Sequence, residues 1–414
     1  MSMFVYATLF ISVIFLPSLV MTSTGQSSMA AGLALCFVGL ALTFCFDRDR
    51  EIITPLPIAS GWLIGIPFVV LLHAVVGILF EEGFALGRFI GSYLLLIMML
   101  IASWIAANKL IPLSWPTMDR LVELGLWGLL INSVFGLLGM RIFAYTTHKP
   151  VGLFAEPSHF SLILAPLLIY AFVSRLRFNV IYLCYLAVWA VLVQSLTTVL
   201  VVLMCVVLSI KITLSRVFIC LFAVVGSIYV LRTDYFASRL TFSASSDNLS
   251  VLTLIQGWES TLLMLDATGG WGVGFQQYGL EDFFGEAAYR MKELGIEVIT
   301  RLDGGTTAAK LVGEFGIIGL GFLGLYCVGL LIAFLKIRYA YNHHHAGGKV
   351  FIFVCFYASF IEFFARGAGY FTPTFFLFAV SVLGWLVIAS RSGMRLEGDS
   401  NDTLGNQLYS ETRQ

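Results

Sequence analysis

The chain has 414 residues, of which 59% are hydrophobic and only 12% are charged, and its formal net charge is zero. A soluble domain carries about 25% charged residues. Together with a mean hydropathy of +0.92, this composition excludes an ordinary soluble protein and predicts a polytopic membrane protein. The zero net charge argues against a nucleic-acid partner. All seven cysteines lie inside apolar runs, which argues against a disulfide framework or a thiolate metal site.

Because a membrane-spanning helix needs about 20 apolar residues, the hydropathy pattern predicts an all-α bundle of about twelve transmembrane helices. The first apolar stretch lacks a preceding basic region, so it is predicted to be an uncleaved helix and not a signal peptide. The stretch 179–212 is too long for one crossing and is predicted to form a tight hairpin. The predicted spans are 3–21, 29–46, 58–79, 89–107, 121–140, 160–174, 179–194, 197–212, 217–232, 311–335, 350–365 and 371–390.

The distribution of Lys and Arg orients these spans. With the N-terminus in the cytoplasm, the predicted inner loops hold thirteen of these residues and the short outer loops hold four. Both termini are therefore predicted to be cytoplasmic, with loops 141–159 and 233–310 on the same outer side. The chain is therefore predicted to have four parts. Residues 1–232 hold spans one to nine with the loop 141–159, residues 233–310 form the long outer loop, and residues 311–395 hold three further spans. The polar tail 396–414 is predicted to be disordered.

The most informative segment is the polar loop 141–159, which lies between two apolar spans. Ionisable groups at the rim of a bilayer cost free energy, so they indicate function by default. Ser158 is predicted to be the N-cap of the next helix, and Pro157 to set the direction of the chain into it. Glu156 and His159 are therefore expected to be held near a rigid element. A structural ion pair of Glu156 with Arg141 or Lys149 is the alternative to a catalytic role. The ionisable groups of this loop are Arg141, His148, Lys149, Glu156 and His159.

The long outer loop is predicted to fold into two amphipathic helices over the mouth of the bundle. Apolar residues at helical spacing predict the first helix over 249–265, after an N-cap at 245–247. The second is predicted over about 281–294 and is closed by Gly295.

This loop also carries aromatic rings and cations. Trp258 and Tyr278 suit stacking on sugar faces, and an interfacial aromatic belt is the alternative. Guanidinium groups suit phosphate oxygens, and snorkelling toward lipid headgroups is the alternative. The candidate cations are Arg239, Arg290 and Arg301.

Other polar groups lie near the ends or inside the apolar spans. Glu314, early in the tenth span, is either an active-site group or a buried carboxylate stabilised by the helix dipole. Glu362 and Arg366 are four residues apart and are predicted to pair on one helix face. His73 is predicted to be a hydrogen-bonding core residue. Five glycines in the tenth span predict close helix packing, namely Gly316, Gly319, Gly321, Gly324 and Gly329.

These residues suit a group transfer from a lipid pyrophosphate. Arginines would neutralise the leaving pyrophosphate, and a carboxylate or imidazole would accept the proton of an attacking hydroxyl. No metal or other cofactor is required if side chains supply the cations.

Three segments of the chain carry a family resemblance. They are Gly152-Leu153-Phe154-Ala155-Glu156-Pro157-Ser158, Gly272-Val273-Gly274-Phe275 after Trp258, and Leu311-Val312-Gly313-Glu314-Phe315-Gly316-Ile317-Ile318-Gly319. These segments resemble the O-antigen ligase/polymerase superfamily and, within it, the Wzy-type polysaccharide polymerases. Arg141 and Gly152 match the spacing of an Arg, ten residues and a Gly that is typical of the outer loops of these polymerases. Ligases of the superfamily usually carry a His-Asn where this chain reads Asp303-Gly304-Gly305, which favours a polymerase.

The resemblance implies a GT-C-like membrane glycosyltransferase that polymerises undecaprenyl-pyrophosphate-linked oligosaccharide repeat units of O-antigen or a related surface polysaccharide. The reaction would take place at the outer face of the bacterial inner membrane, without a metal or cofactor. A chain-length regulator and a flippase are the implied protein partners. The implied catalytic residues are Arg141, Glu156, His159, Arg239 and Arg301, and the implied substrate-binding residues are His148, Lys149, Gly152, Trp258, Tyr278, Arg290 and Glu314.

Two alternatives belong to other classes of activity. One is an O-antigen ligase, which would transfer the glycan to the lipid A core of lipopolysaccharide. The other is a transporter or flippase of lipid-linked sugars. A two-half carrier is expected to have its long loop after span six and a polar site near the midplane, whereas the long loop here comes late.

Overall fold

The computed structural model describes residues 3–26, 28–46, 57–80, 83–140, 151–209, 243–295 and 301–390. Over these ranges the chain is helical and forms no β-strand. The predicted ninth span at 217–232 and the tail at 396–414 lie outside the described residues. The helices are α1 (Met3–Thr24), α2 (Ala30–Phe46), α3 (Pro57–Phe80), α4 (Leu86–Leu110), α5 (Trp115–Leu137), α6 (Pro157–Val173), α7 (Asn179–Leu192), α8 (Leu196–Ser209), α9 (Leu249–Ala267), α10 (Glu286–Glu293), α11 (Thr307–Asn342), α12 (Gly348–Ala358), α13 (Phe360–Phe364) and α14 (Pro373–Ser390).

Six of these helices, α1, α3, α4, α5, α11 and α14, are long and apolar enough to cross a membrane. Four shorter apolar helices, α2, α6, α7 and α8, accompany them. The prediction of an all-helical membrane protein is therefore confirmed. The number of twelve spans stays a prediction.

The predicted hairpin at 179–212 is present as α7 and α8. The two helices pack together and are joined by three residues, of which Gln194 has a left-handed backbone with φ 57. The amide of Ser195 donates to the carbonyl of Ala190 over 2.8 Å and closes the turn. The Ser195 hydroxyl then accepts from Thr198 over 2.8 Å, so the polar groups of this turn bond to each other.

Helix α6 forms the centre of the bundle. It packs against α5, α7, α8, α11 and α12, and every residue from 160 to 173 is buried. A helix that is apolar on all sides can lie in a protein core or against lipid, and the burial of α6 places it in the core. The residues at its N-terminus therefore stand on an enclosed helix.

The connections between the helices meet at two opposite ends of the bundle. We call the end that carries residues 83–85, 151–156, 193–195, 243–295, 301–306 and 365–372 the loop face. The amide of Ala85 donates to Gln277 over 2.8 Å, and the amide of Gly367 donates to the carbonyl of Gly305 over 2.9 Å. These contacts join the segments 243–295 and 301–306 to the helix ends beneath them.

Helix α11 is broken near its start. Gly316 has φ 58 and ψ −132, which is outside the helical region. A glycine-rich turn takes over the interrupted hydrogen bonds: the amides of Val273 and Gly274 donate to the carbonyls of Gly313 and Glu314 over 3.0 and 2.9 Å. The amide of Ile317 donates in turn to Gly270 over 3.0 Å. Irregular backbone at membrane depth is tolerated only where protein satisfies it, and this turn does so.

Helices α9 and α10 confirm that the long loop contains two helices, with corrected boundaries. Asn248, and not a residue of 245–247, caps α9, since its side chain accepts from the amide of Ser250 over 3.1 Å. Helix α10 begins at Glu286, five residues later than the predicted start at 281. The preceding stretch is not helical because the carbonyl of Phe283 accepts the Ser260 hydroxyl over 2.6 Å.

His73 is a buried core residue, as predicted. Its Nε2 lies 3.1 Å from the carbonyl of Trp271, and its ring stacks on that of Trp271 at 4.9 Å. The contact attaches α3 to the glycine-rich turn that enters α11.

Candidate functional site

Glu156 lies at the loop face, immediately before α6, and three donors converge on its Oε1. The Arg366 guanidinium lies 2.9 Å away, Nε2 of His159 lies 3.2 Å away, and the Ser158 hydroxyl donates over 2.6 Å. His159 and Ser158 come from the first turn of α6, which Pro157 begins. Glu156 and His159 are both held at the start of a helix, as expected, but the predicted N-cap is wrong. Ser158 is the second residue of α6, and Glu156 occupies the N-cap position.

The electrostatics of this cluster favour the ionised form of Glu156. Burial by itself raises the pKa of the carboxyl group, but the nearby charge of Arg366 and the hydrogen bonds to the carboxylate outweigh it. The pKa of Glu156 is therefore held well below its usual range. A carboxylate of such low proton affinity is a strong anchor for cations and a poor proton acceptor.

Arg366 was not among the residues predicted to form this site. It was predicted to pair with Glu362, and that prediction is wrong. Helix α13 ends at Phe364, so Arg366 lies beyond the helix and the four-residue spacing no longer brings the two side chains together. Glu362 is fully buried and accepts a hydrogen bond from Thr372. The position of Arg366, in a short glycine-containing link between two apolar spans, is the feature of the sequence that indicates a functional role.

The segment 301–310 packs directly onto the link that carries Arg366. Gly369 has φ 83, and a β-carbon there would lie 3.1 Å from Oδ1 of Asp303 and 3.8 Å from Nζ of Lys310. The absence of a side chain at this position lets the two loops approach. The amide of Gly367 also donates to the carbonyl of Gly305 over 2.9 Å, so the segment with Asp303 is held against the link that carries Arg366.

Lys310 and Glu314 form a buried pair behind this surface. The Lys310 ammonium donates to the carbonyl of Leu302 over 2.6 Å and lies 3.8 Å from Oε1 of Glu314. Glu314 is fully buried, and among the described residues neither of its carboxylate oxygens has a hydrogen bond of normal geometry. It lies in the third turn of α11, so Lys310, and not the helix N-terminus, is its electrostatic partner.

The ionisable groups of the loop face thus alternate in sign along a continuous series of neighbours. The series passes from the ionised Glu156 through Arg366 to Asp303, and then through Lys310 to Glu314. Charges of opposite sign near one another offset part of the free-energy cost of placing ionisable groups at the rim of a bilayer. The loop face can therefore bind a charged group and handle a proton in one place.

Gly152 has a structural role in this arrangement. It turns the chain with φ 58, and a β-carbon there would collide with Asn132. The Asn132 side chain holds the turn, because it accepts from the amide of Leu153 over 2.8 Å and donates to the carbonyl of Val151 over 3.0 Å. The turn directs the chain toward Glu156.

The two predicted aromatic contacts with sugars are used for packing in the described structure. Tyr278 is fully buried, and its hydroxyl donates to the carbonyl of Gly257 over 2.6 Å. Trp258 packs against an apolar cluster that includes Ala308, Tyr326 and Phe363. Tyr278 therefore has no exposed face, whereas Trp258 is partly exposed.

The two described arginines of the long loop also have partners of their own. Arg290 pairs with Asp247 and with Glu293, each at 2.7 Å. Arg301 pairs with Asp282 and donates to the carbonyl of Leu280 over 3.0 Å. The remaining candidates, Arg141, His148, Lys149 and Arg239, lie outside the described residues.

No protein-family model matches this chain, and no curated protein is similar to it. The chemistry of the loop face is therefore argued from its own residues.

Proposed function

We propose that the protein is a membrane glycosyltransferase that polymerises polyprenyl-pyrophosphate-linked oligosaccharide repeat units at the outer face of the bacterial inner membrane. The observation that carries this proposal is the cluster of Glu156, His159 and Arg366 at the rim of a helical membrane bundle, with Asp303 beside it. The motif order in the sequence supports the same activity.

The cluster suits the charge changes of glycosyl transfer. When the glycan leaves its lipid pyrophosphate, negative charge grows on the leaving group and needs a preorganised cation. Arg366 is a partly exposed guanidinium, which suits bidentate contacts with phosphate oxygens. Glu156 and His159 hold it in position. The apolar helices around the rim would accommodate the polyprenyl tail in the bilayer.

The test of this activity is deletion of the gene followed by gel analysis of the surface glycan. Loss of a polymerase leaves single repeat units attached to lipid A. A ligase mutant displays no repeat units and accumulates lipid-linked polymer, and a flippase mutant has no glycan outside. Either of the last two patterns contradicts the proposal.

Site variants connect the activity to the loop face. Arg366→Ala is expected to reduce chain elongation by at least about 100-fold, because removal of one preorganised donor to a developing charge has an effect of this size. The readout is the gel profile of the complemented deletion strain. Arg175→Ala is the matched control, since this exposed arginine donates to the carbonyl of Tyr341 over 3.4 Å, away from the cluster. Long chains in both variants would remove Arg366 from the mechanism.

A transporter of lipid-linked sugars is the second candidate, and one observation favours it. The break in α11 at Gly316 lies close to the buried pair of Lys310 and Glu314. Broken helices with buried polar groups are typical of transporter binding sites. Purified protein in liposomes, supplied with a fluorescent lipid-linked repeat unit, separates the two functions. Polymer without translocation supports the glycosyltransferase, and translocation without polymer supports the transporter.

A further inference from the structure

We propose that Asp303 is the catalytic base of the transfer, the group that accepts the proton of the attacking sugar hydroxyl. This inference rests on the proposed function. It assigns a role to a residue that neither the motifs nor the charge pattern of the sequence identified as catalytic.

The two other candidate bases, Glu156 and His159, contact each other. Glu156 receives three donors on one oxygen, and its proton affinity is low for that reason. His159 directs Nε2 toward Glu156, while its Nδ1 is buried and has no hydrogen-bond partner among the described residues. The donors therefore hold Glu156 in its ionised form as a poor proton acceptor, and the remaining ring nitrogen of His159 is buried away from an acceptor hydroxyl at the loop face.

Asp303 has the properties that these two residues lack. It is partly exposed, and it has no hydrogen bond or ion pair within the part of the chain that the structure describes. Its segment packs on the link that carries Arg366: a β-carbon at Gly369 would lie 3.1 Å from Oδ1 of Asp303, and the amide of Gly367 donates to the carbonyl of Gly305 over 2.9 Å. This packing brings the Asp303 carboxylate to the side of the link where a group would bind at Arg366.

The backbone around Asp303 is fixed on both sides. Before it, the carbonyl of Leu302 accepts the buried Lys310 ammonium over 2.6 Å. After it, Gly305 accepts from the amide of Gly367, and Thr306 caps α11 by accepting from the amide of Ala309 over 3.2 Å. A carboxylate that has no hydrogen-bond partner among the described residues and is held on a rigid backbone is suited to general-base catalysis. Lys310 acts here as a positioning residue.

The proposed step balances as follows. The proton of the acceptor hydroxyl moves to the Asp303 carboxylate, and an electron pair of the acceptor oxygen forms the new bond to the anomeric carbon of the donor glycan. The bond between that carbon and the pyrophosphate oxygen breaks, and its electron pair leaves with the lipid pyrophosphate. Arg366 faces the added negative charge. Asp303 later returns its proton to solvent.

The test uses the full-length protein in liposomes with purified lipid-linked repeat units, and initial rates of polymer formation are measured against donor concentration. Asp303→Asn is expected to lower kcat by about 100-fold to 10,000-fold, the usual range for a general base, with little change in the KM for the donor. Asp303→Glu is expected to fold and to retain part of the rate. Asp282→Asn is the matched control, since this carboxylate lies in the same segment and pairs with Arg301. Its kcat is expected to equal that of the wild type.

The outcomes separate this inference from the proposed function. Wild-type protein that forms no polymer overturns the proposed function, and the role of Asp303 with it. Active wild-type protein together with Asp303→Asn at an unchanged kcat overturns the assignment of Asp303 alone. A loss that appears only in KM makes Asp303 a binding residue and also overturns it. If Asp303→Asn does not fold, a folded Asp303→Glu with the full wild-type kcat overturns the assignment, because displacement by one methylene is expected to slow proton transfer.

Discussion

At the scale of single residues, Glu156 collects partners from distant parts of the chain. Ser158 and His159 follow it directly, whereas Arg366 lies 210 residues later. We expect Glu156→Gln to lower the free energy of unfolding at neutral pH by about 1–2 kcal/mol, since charged hydrogen bonds are lost at a partly exposed site. Thermal unfolding in detergent at several pH values measures this difference.

The pH dependence has a definite sign. The pKa of Glu156 is lower in the folded protein than in the unfolded chain, so its stabilising effect is complete above the ordinary glutamate pKa of about 4.3. The effect is lost as the pH falls below that value. Wild type and Glu156→Gln should therefore differ at pH 7 and converge in acid. Glu293→Gln, in an exposed pair, is the control and should differ little from wild type. Equal stability of Glu156→Gln and wild type at pH 7 would contradict the expectation.

At the scale of elements, the break in α11 depends on Gly316. A β-carbon there would collide with the carbonyl of Gly270 and the backbone of Trp271, and φ 58 is unfavourable for any other L-residue. We expect Gly316→Ala to destabilise the protein by at least about 2 kcal/mol, because strain and a backbone clash combine. Unfolding in detergent and the yield of folded protein measure the effect.

Gly321→Ala is the matched control in the same helix. No atom lies within 4 Å of the position of its β-carbon, so a change of at most about 1 kcal/mol, in the stabilising direction, is expected. The sequence predicted close packing for all five glycines of this span. Gly329 does face the Phe356 ring, whereas Gly321 and Gly324 face open space. The amino-acid type alone does not tell which face of a helix meets a neighbour. Equal effects of Gly316→Ala and Gly321→Ala on stability would show that the fold does not require the break in α11.

At the scale of the whole molecule, the loop face gathers segments that are far apart in the chain. In a variant without native cysteines, Ser245→Cys at the loop face is expected to react with a membrane-impermeant maleimide from the outer side. His345→Cys lies in the link between α11 and α12 at the opposite end of the bundle, and it should react only after the inner membrane is opened. The orientation follows from the excess of Lys and Arg in the predicted inner loops. Labelling of cells and of opened membranes measures both positions.

Both residues are exposed in the structure, so failure to react would not come from burial. Gly83→Cys provides a second position at the loop face and should follow Ser245→Cys. Reaction of Ser245→Cys and His345→Cys from the same side would contradict the placement of these two residues at opposite ends of the bundle. Reaction of both loop-face cysteines only from the inner side would reverse the orientation and exclude the proposed outer site.

The sequence by itself determined the helical membrane class, the hairpin of α7 and α8, and the support of Glu156 by the start of α6. These features depend on apolar length and on residues that are close in the chain, because a helix in lipid satisfies its backbone hydrogen bonds within one segment. Only the tertiary structure decided that Arg366 pairs with Glu156, that Asp303 lies beside them, and that a glycine-rich turn enters the break in α11. Charge pairing at the loop face depends on which loops meet there, and that arrangement comes from the packing of whole helices.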